Sequence, residues 1–269
     1  MSKMKTWVVA NQKGGVGKTT TAISLAGILA EQSHRVLLVD FDPHASLSQY
    51  FGYAIDDLEQ SIFDIFDSES NCERFARSGI LSTNHNNLDL APANVALATL
   101  DKKFGQQKGL GLKLLQFQEL VNNDYDYMIV DCPPMLGVLM INALAVANEL
   151  IIPVQTEFLA IKGLERMLTT TNMVYKRQKN PPNFIVVPTL FDRRTRASVD
   201  SLRHLRMHYE EILWRSVISI DTHFRDASQA HIVPSVFNPE SRGVFEYQQL
   251  CRDIQKGSIN RFVTIMEAV

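Results

Sequence analysis

The stretch Lys13-Gly14-Gly15-Val16-Gly17-Lys18-Thr19-Thr20 decides the fold through what stands on either side of it. An apolar, β-type run over residues 7–11 precedes it. After it, Ile23, Ala26, Gly27 and Ala30 recur at helical spacing. In a strand, glycine loop and helix taken in that order, successive backbone N–H groups converge at a helix N-terminus and cradle phosphate. Lys18 in such a loop reaches the β- and γ-phosphates of a nucleotide, and the Thr19 hydroxyl ligates Mg²⁺. The strict G-x-x-x-x-G-K-[ST] spacing is not met, because Gln12 holds the first glycine position and Lys13 follows it.

Outward from the loop, apolar runs alternate with helical patterns to the end of the chain. Strands are predicted over 7–11, 36–40, 127–131, 150–154, 184–190 and 214–218. Most lack period-two alternation, as strands covered on both faces should. Helices are predicted over 17–32, 110–121, 138–147, 161–178, 197–213 and 243–255. The repeated order implies an α/β fold in one domain spanning 1–269, a parallel sheet with helices on both faces. Asn180-Pro181-Pro182 reads as a turn rather than a linker.

Composition agrees. Of 269 residues, 45% are apolar and 21% charged, which is globular and excludes a disordered or collagenous chain. Twenty-seven basic against 29 acidic side chains leave a net charge of −2, so nucleic acid or membrane is not coated by the whole surface. The most apolar window, residues 135–147, is well short of the roughly 20 residues of a membrane span. Cys72, Cys132 and Cys251 show no disulfide or metal-ligand spacing, and a cytoplasmic protein is expected. The acids cluster: eight lie between Asp40 and Glu69, with no lysine or arginine among them. The arginines cluster too: five fall between Arg193 and Arg206, against Asp200. Either run reads by default as a solvated face.

The loop Lys-Gly-Gly-x-Gly-Lys-Thr-Thr resembles that of the ParA/MinD family of P-loop ATPases. Val36-Leu37-Leu38-Val39-Asp40-Phe41-Asp42-Pro43 is similar to that family's second strand and first switch. Tyr125 to Pro134, with Asp131-Cys132-Pro133-Pro134 at its end, resembles the Walker B strand and second switch, and Ser241-Arg242-Gly243 the closing helix. The resemblance spans roughly residues 5–256 and implies a P-loop NTPase fold, slow ATP hydrolysis, and ATP and Mg²⁺ as cofactors. It implies nucleotide contacts from Lys13, Gly14, Gly15, Val16, Gly17, Lys18, Thr19 and Thr20, with the base near Pro188-Thr189 and residues 237–239. Lys13 would be the signature lysine that crosses onto the partner's nucleotide in an ATP-bound homodimer. Asp40 and Asp131 would support the Mg²⁺ that Thr19 ligates, Asp131 through water, and Asp42 would position the attacking water. The plain alternative for each aspartate is a cap or turn residue.

Asp42-Pro43 favours the ParA branch. Asp42-Pro43-His44 followed by Tyr50-Phe51-Gly52 resembles the ParC proteins that place chemotaxis arrays at cell poles, although His44 departs from the usual glutamine. The short run before the loop implies no helix-turn-helix domain ahead of it. Asp192-Arg193-Arg194-Thr195 is similar to the ParA segment that binds DNA without sequence preference, and Arg225 lies in a second such segment. Arg193, Arg194, Arg196 and Arg225 are therefore the DNA-binding candidates; the plain alternative is a helix face with pairs such as Arg206–Glu210. Cys132 beside Asp131 is read as a packed core thiol, since an iron–sulfur ligand would need partner cysteines. The absence of an Asn-Lys-x-Asp motif makes ATP, not GTP, the nucleotide. The implied partners are a second copy, an adaptor that stimulates hydrolysis and nonspecific DNA, with recruitment to nucleoid or pole and no integral membrane association. Plasmid or chromosome partition is one alternative function. Membrane positioning of the MinD kind is another, counted against by residues 258–269, which carry Arg261 and no lysine. A small-molecule ligase on the same fold is the third.

Overall fold

The runs Lys5–Val9 (β1), Val36–Asp40 (β2) and Tyr127–Asp131 (β5) are buried almost throughout, and successive side chains serve two different cores. Val8, Leu37, Val39, Met128 and Val130 face one apolar cluster, whereas Trp7, Val9, Val36, Leu38 and Ile129 face the other. A strand packed on both faces has no solvent side to make polar, which is why the sequence shows no alternation. A computed structural model describes residues 3–104, 110–176, 178 and 180–257. The remaining strands are Leu81–Ser82 (β3), Leu88–Ala91 (β4), Glu149–Gln155 (β6) and Asn183–Thr189 (β7), and the sheet order is β3-β4-β2-β5-β1-β6-β7. Every pairing is parallel except β3 with β4, an antiparallel edge.

The helices are Lys18–Glu31 (α1), Ser46–Tyr50 (α2), Glu69–Ser78 (α3), Leu100–Phe104 (α4), Lys113–Val121 (α5), Val138–Val146 (α6), Phe158–Tyr175 (α7), Arg196–His208 (α8), His223–Gln229 (α9), Pro234–Phe237 (α10) and Arg242–Gln255 (α11). Residues of α5, α6 and α7 build one core, and those of α1 and α11 the other. Between the latter two, Thr21 Oγ1 and Tyr247 Oη meet at 2.9 Å in the interior.

Two expectations are corrected. Residues 214–218 form no strand: isolated bridges join Leu213 to Val186 of β7 and Ser219 to Phe191 beyond it, and residues 215–217 between them join no ladder. The N–H groups of Trp214 and Ile218 bond the Val186 and Pro188 carbonyls, while Arg215 is exposed and Ser216 and Val217 are half-buried. The sheet is parallel as expected except at one edge, where β3 and β4, joined by a short turn rather than a crossover helix, pair antiparallel. Finally, α8 ends at His208, so the expected Arg206–Glu210 spacing runs past its last turn, and Asp200 instead pairs with Arg196 and Arg203. The predicted helix over 161–178 is α7, which begins at Phe158; residue 177 lies outside the described residues.

Candidate functional site: a phosphate cradle at the sheet edge

The carboxyl ends of three neighbouring strands meet at one point. Register places Asp131 opposite Val9 on one side and opposite Asp40 on the other, so β1 delivers the glycine loop beside both carboxylates. This is the edge of a parallel α/β sheet at which ligands collect. In the loop, Gly15 and Gly17 have φ of 74° and 88°, left-handed conformations that a side chain would strain. Gly17 caps α1, whose first turn holds a lysine and three threonines and no acid. Its N-terminal dipole is therefore left for an anion to complement.

The two lysines of the loop are held differently. Lys18 is only 7% exposed, and its Nζ donates to the Lys13 carbonyl at 3.1 Å. Burial lowers its pKa, while the charges of Asp131 and Asp42 act the other way. Lys13 points to the start of α7, where its ammonium pairs with Glu157. Gly163 makes room for that path, since a side chain there would begin 3.3 Å from the Lys13 Cβ. Gln12 is tied to the same helix through Thr170 Oγ1 at 2.7 Å.

Around the cradle, Thr19 Oγ1 donates to Asp131 Oδ2 at 2.6 Å, while the buried Asp131 Oδ1 makes no hydrogen bond. Burial first, and the Asp40 carboxylate second, raise the Asp131 pKa. Asp40, fully buried, is pushed up to about 6 by desolvation, although its Oδ2 accepts the backbone N–H and hydroxyl of Ser48. Two buried carboxyls with an orphaned oxygen beside a threonine hydroxyl suit a hard divalent cation, whose charge would offset their desolvation. Among the described residues no group of three or more His, Cys, Asp or Glu side chains is placed to hold a metal, so the donor set here is two carboxyls and one hydroxyl.

Asp42 leads the loop from β2 into α2. Its N–H donates to Asp40 Oδ1 at 3.2 Å, and its Oδ1 accepts the His44 N–H at 3.0 Å and contacts His44 Nδ1 at 2.9 Å. Ala45, which follows, is buried in the left-handed region at φ 52°, a conformation costing on the order of 1 kcal/mol for a non-glycine residue. The expected departure at position 44 thus touches the expected water-positioning carboxylate directly.

Pro188 and Thr189 are buried at the end of β7. Thr189 Oγ1 donates to the Val16 carbonyl at 2.8 Å, bracing the glycine loop from behind. Just beyond, Phe191, Asp192, Arg193, Arg194, Ser219, Ile220 and Arg242 line a cavity of about 310 Å³. The arginines divide. Arg194 grips Asp192 with two bonds of 2.9 and 2.8 Å, and Arg196 pairs with Asp200, both on the surface. Arg193 is exposed beside them, whereas Arg225 lines a separate cavity of about 340 Å³ with Thr19, Thr20, Ser46 and Tyr50. Sequence reasoning missed Glu157, Ser48 and the brace from Thr189. Their only signals were an acid after a strand and hydroxyls at turns.

Comparison with known proteins matches residues 4–183 to a family described as an AAA domain. The chain is 34% identical over 249 residues to the sporulation initiation inhibitor protein Soj of Bacillus subtilis, covering 91% of this chain and 96% of that one. It is 31% identical to the chromosome partitioning protein ParA of Caulobacter vibrioides, over 93% of this chain and 94% of the other. Among solved structures, cobyrinic acid a,c-diamide synthase from Mycobacterium smegmatis with bound ATP analog and magnesium superimposes with a TM-score of 0.82. Its identity is 30%, over 97% of this chain and 99% of that one.

Proposed function

The chain belongs to the ParA/MinD family of P-loop ATPases, and we propose that it is a nucleotide-switched positioning ATPase that passes between one-chain and two-chain states. It takes ATP with Mg²⁺ as cofactor. The observation that carries the switch is the division between the two lysines, one buried in the cradle and one parked outward on Glu157. Lys18 meets the β/γ-phosphates of the chain's own nucleotide. Lys13 leaves Glu157 for the nucleotide of a second copy, an exchange that costs little because a partly exposed ion pair is worth about 0–1 kcal/mol. Phe158, Leu159, Met135 and Leu136, each more than half exposed on the segments that follow β6 and β5, supply the apolar part of the face between copies. Binding energy present only in the two-chain state would shift the population toward it.

In this reading Thr19, Asp40 and Asp131 hold Mg²⁺, which neutralises phosphate charge. Asp42 orients water for in-line attack, and its contacts with His44 and Asp40 set its direction. Lys13→Ala is expected to leave nucleotide binding by the single chain nearly intact and to impair dimerisation or phosphate release. A loss of binding as deep as that in a Lys18 variant would place Lys13 in its own chain's cradle and remove the switch.

Arg193, Arg194, Arg196 and Arg225 form the proposed nonspecific DNA surface. The ion pairs that Arg194 and Arg196 make are on the surface, so phosphates displace the aspartates at small cost. Arg194→Glu with Arg196→Glu is expected to weaken DNA binding with Mg-ATP and to flatten the salt dependence by about one unit of slope per charge removed. A salt series of fluorescence anisotropy on two unrelated duplexes reads both. Absence of binding by the wild type at low salt would discard DNA as a partner.

For cargo we propose polar chemotaxis arrays, supported by Asp42-Pro43-His44 and Tyr50-Phe51-Gly52, with an adaptor that stimulates slow hydrolysis. Chromosome or plasmid partition is a second reading, favoured by the names of the Soj and ParA relatives. Among the described residues no helix is long and apolar enough to cross a membrane, and the 258–269 segment weighed for a MinD-like role lies outside them. Likeness to a diamide synthase keeps a small-molecule ligase in view. ATP hydrolysis assayed without any metabolite, with and without DNA, separates these: turnover that requires an added organic acid would overturn the positioning ATPase.

A further inference from the structure

Between α8 and residues 215–217 lies a cavity of about 420 Å³, lined by Phe191, Val199, Leu202, Arg203, Arg206, Arg215, Ser216 and Val217. Its lining has two parts. Phe191, Val199, Leu202 and Val217 form an apolar floor, and three arginines form the rim. Val199 precedes Leu202 and Arg203 by three and four residues and Arg206 follows them by four and three, so one face of α8 presents floor and rim together.

The opposite wall is held in place before any ligand arrives. Phe191 N–H donates to the Ile218 carbonyl at 3.0 Å, and the Phe191 carbonyl accepts the Ile220 N–H at 3.1 Å. Trp214 and Ile218 are bonded to β7 in the same way, and residues 215–217 are therefore fixed at both ends.

Charge points to the occupant. No acidic side chain lines the cavity. Arg203 shares Asp200 with Arg196, while Arg206 and Arg215 make no ion pair among the described residues. Arg206 and Arg215, unpaired beside Arg203, leave the rim positive, and an anion placed between them gains planar, forked hydrogen bonds. A bare phosphate backbone would use the rim and leave the floor wet. The floor matters only for a ligand with an apolar body, and the volume falls at the small end of the roughly 300–1,000 Å³ range of ligand pockets.

We propose that this cavity binds a small amphipathic organic anion, with an aliphatic or aromatic body on Phe191, Val199, Leu202 and Val217 and a carboxylate or similar group held by Arg206 and Arg215. The site is distinct from the phosphate cradle. It shares the Phe191 wall with the cavity that holds Arg193 and Arg194, and Phe191 is two residues from the Thr189 that braces Val16.

The test uses the full chain with saturating Mg-ADP, so that the cradle's own anion site is filled. 1-Anilinonaphthalene-8-sulfonate is the fluorescent probe and octanoate the competitor. The expected result is one saturable site displaced by octanoate but not by inorganic phosphate at the same concentration. Affinity should fall about tenfold or more in Arg206→Gln/Arg215→Gln, which removes two charge-assisted bonds, and stay unchanged in Arg166→Gln, an exposed arginine on α7. Because Arg206 and Arg215 are exposed, the double variant should fold, and a thermal melt checks it. No octanoate-displaceable binding, undiminished binding by the double variant, or equal displacement by phosphate would each overturn the proposal. Displacement by a short DNA duplex would overturn it too, and would assign these arginines to nucleic acid.

Discussion

Replacing Lys18 with alanine is expected to abolish ATP binding, the largest effect of any single substitution in the cradle. Lys18 is nearly buried at the first residue of α1, and its ammonium lies against the loop's own Lys13 carbonyl at 3.1 Å. Burial works against its charge, so the fold accepts a desolvated cation there, supported by the fields of Asp131 and Asp42. Phosphate oxygens entering the loop would meet that cation and the backbone N–H groups of a helix start with no acid in its first turn. No other side chain takes over, because Lys13 is directed away onto Glu157. Removing one member of a buried, charge-assisted contact costs about 3–5 kcal/mol, or roughly two to four decades of affinity. Titration with a fluorescent ATP analogue measures this. Wild-type affinity in Lys18→Ala would mean that the glycine loop is not the phosphate site.

The second large effect belongs to Asp42. Asp42→Ala is expected to bind Mg-ATP normally and to hydrolyse it about a hundredfold more slowly or worse, the range in which a positioned proton acceptor works. Asp42's hydrogen bonds run to Asp40 and His44, and it acts on Lys18 of the glycine loop only through its charge, the smaller of the two acidic fields there. Binding should survive for that reason. Two features mark the loop as built for a purpose beyond connection. Its carboxylate is two residues past the buried Asp40, and Ala45 is held in a strained left-handed conformation just after it. Phosphate release under saturating ATP gives the rate. Undiminished turnover would take Asp42 out of the chemistry and leave it a turn residue.

Legibility in the sequence falls with the distance along the chain between the groups that meet. β2 and β5 were legible to their last residue, because each is a continuous apolar run stopped by an aspartate, and those aspartates are the ones register brings together. The glycine loop and α1 were legible from local chemistry alone. The short β3 and β4 were not, since two and four residues carry no usable period. Residues 214–218 have the composition of a strand, yet only their ends bond β7, and the polar Arg215 between them is exposed. Glu157 and Thr189 meet the loop across 144 and 173 residues of chain, and no local pattern announces such contacts. The arginine cluster was visible in the sequence. Its division into pairs with Asp192 and Asp200, an exposed Arg193 and a pocket rim was not.

Sedimentation velocity tests most directly the proposal that ATP joins two copies through Lys13. Wild type without nucleotide and with Mg-ADP, and Asp42→Ala with Mg-ATP, are compared at one protein concentration. One-chain mass is expected in the first two and two-chain mass in the third, with Lys13→Ala/Asp42→Ala returning to one chain under Mg-ATP. A one-chain mass for Asp42→Ala at saturating Mg-ATP, or two chains whatever the nucleotide, would contradict it.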